Sequence, residues 1–293
     1  MKLCKHYLYA SSVEDALRSL GQSPGTVKVL AGGTDLLLDL QQGRHARVDT
    51  LVDITNIPEL KRMQLRQQEY FIGAAVPHRE ITNSPLVQTH AMALAEASGL
   101  IGGPQVRNVA TLGGNVAHAL PAADGTIALM VLDAKAEIAT LQGRRTVPMA
   151  SLFTGPGVSA LDPRNELLVG FHLPVKKDGQ GSAFKRIMRP QGVAIAILNC
   201  SVWLQREADE IKEIRISMGP SGPTPRRLPE VEAVLRGKPP GEQVIQAAYS
   251  QLLQVVRFRT SRHRATQAYR EDMACVLLEE TLLTAWNRAG TQN

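Results

Sequence analysis

Three observations predict an α+β fold for this chain of 293 residues. Strand-like and helix-like runs alternate through its first part. Three strand-like runs then follow one another with no helix between them, and helices close the chain. Between the two parts lies the polar, glycine-bearing stretch Lys176-Lys177-Asp178-Gly179-Gln180-Gly181, the best candidate boundary. Residues 1–176 and 181–289 are therefore expected to form two domains, each long enough for its own core.

The first helix is expected over Ser11–Leu20, where Ser11 or Ser12 can cap and Val13, Ala16, Leu17 and Leu20 share one face. Val27–Leu30 is short, apolar and β-branched, so it reads as a buried strand. Thr34 or Asp35 is a good N-cap for the helix-like run Leu36–Leu40. Thr50–Ile54 and Tyr70–Ala75 read as strands, and Pro85–Ser98 as one helix, apolar on one side. Thr126–Leu132 reads as a buried helix, Ala136–Thr140 as a strand, and Glu166–Leu173 as a strand ended by Pro174. Beyond the boundary, Ala183–Met188, Ala194–Leu204 and Ile211–Met218 read as an antiparallel sheet. Helices over Pro229–Leu235, Glu242–Val256 and Tyr269–Trp286 follow, and Gly219–Pro225 is a stiff connection.

Two glycine-paired stretches interrupt these elements. KVLAGGTD begins at Lys28, and TLGGNVAHALPAADG begins at Thr111. Adjacent glycines remove every Cβ from a loop, so a ligand can lie on the backbone and take hydrogen bonds from its N–H groups. In the first stretch a strand, a glycine loop and a helix start converge, which makes an anion cradle. Two such loops can close on one diphosphate from both sides. Neither matches G-x-G-x-x-G, and no G-x-x-x-x-G-K-[ST] occurs, so these are not dinucleotide-fold or P-loop signatures. His118, just past the second loop, is either a ligand contact or a surface histidine.

Composition narrows the function further. Hydrophobic residues make up 44% and charged residues 20%, ordinary values for a globular protein. Aromatics are only 4%, which argues against base-stacking platforms despite a net charge of +6. The N-terminal residues carry no long apolar core, so no signal peptide is expected, and no apolar run suggests a membrane span. Cys4, Cys200 and Cys275 are far apart and form no C-x-x-C pair, and no H-E-x-x-H occurs. A metal centre held by this chain alone is not expected, and a reducing, cytoplasmic setting is.

These motifs resemble the FAD-binding medium subunit of molybdenum hydroxylases, the family of xanthine dehydrogenase and carbon monoxide dehydrogenase. AGGTD, TLGGN and PAADG carry the likeness, with Phe184-Lys185-Arg186-Ile187-Met188-Arg189, GPSGPTPRR and RFRTSRHRATQAYR in the second part. It covers nearly the whole chain. The resemblance implies an FAD-binding fold of the vanillyl-alcohol oxidase type, made of two subdomains, then a three-stranded sheet with helices. It implies that Lys28, Val29, Leu30, Ala31, Gly32, Gly33, Thr34, Asp35 and Leu36 wrap the FAD pyrophosphate. Thr111, Gly113, Gly114 and Asn115 would complete the clamp, with His118 and Ala123 among the cofactor positions. Asp124 would lie near the ribityl or ribose hydroxyls, Leu168 would pack on the flavin, and Lys185 would place a cation near the isoalloxazine.

By the same resemblance the chain is an oxidoreductase subunit without catalytic residues or metal of its own. Substrate would be oxidised at a molybdenum cofactor on a large partner chain. Electrons would pass through [2Fe–2S] clusters on a small chain to the FAD, and then to an external acceptor. Where relatives that use NAD carry an acid near the nicotinamide, this chain has Gly192, which argues against NAD as acceptor. The basic run Arg257-Phe258-Arg259-Thr260-Ser261-Arg262-His263-Arg264 is expected to dock a partner, since arginine and aromatic residues are enriched at protein contacts. The alternatives are a freestanding FAD reductase resembling UDP-N-acetylenolpyruvoylglucosamine reductase, and a nucleic-acid module using Arg257–Arg270. The scarce aromatics count against the second.

Overall fold

The computed structural model describes residues 3–44, 46–66, 68–189, 195–262 and 264–290. The interval holding Gly192 lies outside them. Among the described residues no helix is long and apolar enough to cross a membrane.

The chain opens with β1 (Cys4–Tyr9), α1 (Val13–Gln22), β2 (Val27–Leu30), α2 (Leu36–Gln41) and β3 (Val48–Asp53). The strands form a parallel sheet in the order β1-β3-β2. Ser12 caps α1 by accepting a hydrogen bond from the Asp15 N–H at 3.0 Å. Val13, Ala16, Leu17 and Leu20 are all buried, as their spacing predicts. At α2 the expected cap fails: Asp35 occupies the N-cap in a helical conformation and makes no side-chain cap bond.

Next come β4 (Met63–Arg66), β5 (Glu69–Gly73), α3 (His78–Asn83), α4 (Pro85–His90), α5 (Met92–Leu100), α6 (Pro104–Arg107), α7 (Leu112–Ala117) and α8 (Asp124–Val131). Strands β6 (Lys135–Thr140), β7 (Gly143–Pro148), β8 (Phe153–Gly155), β9 (Val158–Ser159) and β10 (Leu167–Pro174) follow. An antiparallel sheet in the order β4-β5-β10-β6-β7 results, with β8 and β9 as a separate hairpin. Side-chain alternation sorts β5 between two cores. Tyr70 and Ile72 face the layer of helices that includes Leu94, Leu112 and Ile127, whereas Phe71 faces the α1 side with Leu17, Leu20 and Val169.

Two expectations need correction. The single helix over Pro85–Ser98 is broken into α4 and α5 at Ala91, whose φ of −144° and ψ of 50° are not helical. The TLGGN loop is instead the start of α7, capped by Thr111, whose hydroxyl accepts from the Gly114 N–H at 3.1 Å.

The second part is β11 (Gln180–Ile187), β12 (Leu198–Glu207) and β13 (Glu210–Gly219), paired consecutively and antiparallel, then α9 (Pro229–Leu235), α10 (Glu242–Val255) and α11 (Gln267–Gly290). Cys200, Val202 and Leu204 of β12 enter the core shared with α9, α10 and α11. Burial pushes the Cys200 thiol up to about 12, so that sulfur is an inert core group. The opposite face of the sheet meets the helices of the first part. At the outer strand β11, Arg288 of α11 reaches Glu96 of α5 at 2.6 Å, and Glu96 also accepts from the Phe184 N–H at 2.8 Å.

Candidate functional site

A cleft of about 1290 Å³ opens where the loop after β2, the start of α7, the turn before α8 and the segment joining α10 to α11 converge. All nine residues from Lys28 to Leu36 line it. Gly32 explains how the two glycine stretches meet. A Cβ on Gly32 would lie 2.1 Å from the Val109 carbonyl oxygen, so only glycine lets the first loop rest against the approach to the second. Gly33 has φ of +68°, the left-handed turn from which α2 starts. Among the described residues, no acceptor takes the N–H groups of Gly32, Gly33, Thr34 or Asp35. Four unsatisfied amides at the mouth of a cleft fit the oxygens of a diphosphate.

The second loop contributes differently from what its glycines suggest. The Leu112 N–H donates to Val76, that of Gly113 to Ala74, and that of Gly114 to the Thr111 hydroxyl. Its first amides are thus already used by the fold. What it presents to the cleft is the bare face of Gly114, where an added Cβ would meet only the Thr111 oxygen, at 3.2 Å. Beside it stands Asn115, whose carbonyl oxygen accepts from the Thr126 N–H at 3.2 Å and leaves its amide NH₂ for a ligand. Ala117, His118 and Ala123 also line this side.

Asp124 lines the cleft as well, but its carboxylate is engaged. Arg186 holds one oxygen at 2.5 Å, and the Asn199 amide donates to the other at 2.6 Å. Burial pushes the Asp124 carboxyl up, while Arg186 and Asn199 oppose that push. At 2.5 Å from a guanidinium the ion pair decides, and the group is read as a carboxylate. The pair, with Asn199, ties α8 to β11 and β12. His78 sits in the wall, buried, with Nδ1 3.3 Å from the Ser98 hydroxyl. Burial, with Arg107 nearby, drops its pKa to about 4, so it is neutral at ordinary pH.

Three expected site residues do not reach the cleft. Gly113 packs against Ala74, where a Cβ would lie 2.6 Å from its neighbours. Leu168 is buried in β10 within the core that contains Leu94 and Leu112. Lys185 pairs with Glu280 of α11 at 3.2 Å. Strand alternation decides that last case: adjacent residues of β11 face opposite ways, and Arg186, not Lys185, faces the cleft.

The basic segment expected to dock a partner also borders this cleft. Arg257, Phe258, Arg259, Thr260, Ser261 and Arg264 all line the cleft. Phe258 is buried in the core of the second domain, so it anchors the segment and offers no aromatic contact to a partner. His263 lies outside the described residues.

Two family models match the chain. The FAD binding domain in molybdopterin dehydrogenase matches residues 2–176, and the CO dehydrogenase flavoprotein C-terminal domain matches residues 182–285. The xanthine dehydrogenase FAD-binding subunit of Escherichia coli O157:H7 is 34% identical, over 97% of this chain and 97% of its own length. The carbon monoxide dehydrogenase medium chain of Hydrogenophaga pseudoflava is 32% identical, over 96% of this chain and 97% of its own. A solved carbon monoxide dehydrogenase from that organism, lacking the Mo-pyranopterin moiety of its molybdenum cofactor, superposes with a TM-score of 0.91, at 32% identity and 97% coverage of each chain.

Proposed function

The chain belongs to the family of FAD-binding medium subunits of xanthine and carbon monoxide dehydrogenases, and from that premise we propose that it is the electron-transfer subunit of a molybdenum hydroxylase complex. It is an oxidoreductase flavoprotein whose cofactor is FAD. The proposed route takes electrons from [2Fe–2S] clusters on a small partner chain, through the FAD, to an external acceptor. Substrate is oxidised at a molybdenum cofactor on a large partner chain. The observation that carries this reading is the cradle of four unsatisfied amides at Gly32–Asp35 in a cleft large enough for a dinucleotide cofactor.

Within that reading, the Gly32–Asp35 amides would hold the diphosphate, the bare face of Gly114 would leave room for it, and the Asn115 amide would be free to donate to it. Bound FAD supplies one- and two-electron transfer, which no side chain lining the cleft can provide. The Asp124–Arg186 pair joins α8 to β11 beside the cleft. Cytoplasmic placement belongs to the same proposal.

The test is co-expression with candidate large and small chains. The expected outcome is co-purification of a molybdenum-binding chain and a cysteine-rich [2Fe–2S] chain with this one. A free flavoprotein that turns over an organic substrate unaided would overturn the subunit reading.

A further inference from the structure

The second domain's wall of the cleft carries Arg257, Arg259, Arg264 and Arg270. Arg257 is tied down, donating to the Gln254 and Val256 carbonyls at 2.7 and 2.8 Å. The other three form a cluster of their own. Arg270 is only 3% exposed. One of its terminal nitrogens donates to the Ile197 carbonyl, and its Nε is buried with no hydrogen-bond partner among the described residues. Burial, then Arg264 and Arg259, push its pKa down, so both of those guanidinium groups act on the buried one. Among the described residues no carboxylate pairs with any of them. Asp124, an acid lining the same cleft, is already taken by Arg186.

Like charges gathered on a cavity wall around a buried, unsatisfied donor raise the free energy of the empty site. An anion at that place relieves both the repulsion and the missing hydrogen bond. Guanidinium forks match the oxygens of a phosphate group in geometry as well as charge. We propose that Arg259, Arg264 and Arg270 form a phosphate subsite in the cleft that the glycine cradle also lines. The inference rests on the FAD-binding reading above. The phosphate is either the diphosphate of the FAD itself or that of a second, phosphate-bearing ligand entering the same cleft.

The experiment uses the double variant Arg259→Gln, Arg264→Gln. Both side chains are exposed, so the fold should persist, which a thermal melt checks. Arg262→Gln serves as control, because Arg262 is exposed, carries the same charge and does not line the cleft. FAD affinity is measured on flavin-stripped protein by fluorescence, and inorganic pyrophosphate affinity on FAD-loaded protein by calorimetry. A drop of tenfold or more in FAD affinity in the double variant, with the control unchanged, supports the subsite and assigns it to the cofactor. Pyrophosphate binding to the loaded wild type that is lost in the double variant supports it and assigns it to a second ligand. Wild-type behaviour of the double variant in both measurements overturns the subsite while leaving the FAD reading intact. Failure of the wild type to bind FAD overturns the FAD reading instead, and pyrophosphate titration of the flavin-free wild type and double variant still decides the subsite.

Discussion

Gly33 and Gly114 look equivalent as letters, yet the structure gives them different work. Gly33 sits at φ of +68° with leucine methyls 2.9 Å from any added Cβ, so Gly33→Val strains the fold itself. The expected cost is about 1–3 kcal/mol or more of stability, read by urea unfolding. Gly114 faces open cleft, so Gly114→Val should leave stability within about 1 kcal/mol of wild type and weaken FAD binding at least tenfold. Equal effects of the two substitutions on stability and affinity would contradict this division. Asp124 is a second case. Removing its carboxylate strands the buried Arg186 guanidinium, so Asp124→Ala should lose about 3–5 kcal/mol of stability. A loss of FAD affinity alone, with an unchanged melting temperature, would show that the carboxylate serves the ligand and not the ion pair. His78 sets a pH dependence. Its folded pKa of about 4 lies below the unfolded value of 6.5, so its contribution is fully present above pH 6.5 and is lost as the imidazole of the unfolded chain charges first. By pH 4.5 about 2–3 kcal/mol should be lost, and His78→Gln should flatten the stability profile between pH 6.5 and 4.5.

Elements were more legible than their ends and their neighbours. Ser12 and the spacing of Val13, Ala16, Leu17 and Leu20 were enough to locate α1, because capping and amphipathic spacing are local properties. The break at Ala91 carries no glycine or proline of its own, so nothing in the letters distinguishes α4–α5 from one helix. TLGGN reads as a loop because glycines are poor helix formers, but Thr111 caps it and Gly113 needs its bare backbone to pass Ala74. The basic segment between α10 and α11 shows the same limit at the site. Charge is visible in sequence, whereas the direction a coil takes is set by packing far away. Its location gives a prediction: where the arginine subsite serves the cofactor, Arg257→Glu, Arg259→Glu, Arg262→Glu should weaken FAD binding about tenfold or more, since two of the three positions line the cleft. Undiminished FAD content together with a disrupted complex would return the segment to the role of a docking surface.

At the scale of the whole molecule, the sequence already held the fold class, the meeting of strand end, glycine turn and helix start within Lys28–Leu36, and the order of the last three strands. What it lacked was the relation between distant parts. No local pattern shows that Gly32 rests on Val109, that Arg186 crosses to Asp124, or which face of β11 turns toward the cleft. Denaturing the purified protein should release FAD and not FMN, because a mononucleotide would leave the amides of Gly32–Asp35 without the bridging phosphate they fit. Release of FMN alone, identified by chromatography, would remove the diphosphate from that cradle. The anchoring of the basic segment has a wider consequence. Phe258 fixes the path of the chain by packing in the core, while Arg259 and Arg264 contribute charge from exposed positions that follow it in the chain. Path and charge are therefore inherited separately. A descendant of this protein can change the number or sign of charges along the rim one codon at a time and so adapt to a different ionic ligand, while the ring of Phe258 holds the route of the backbone constant.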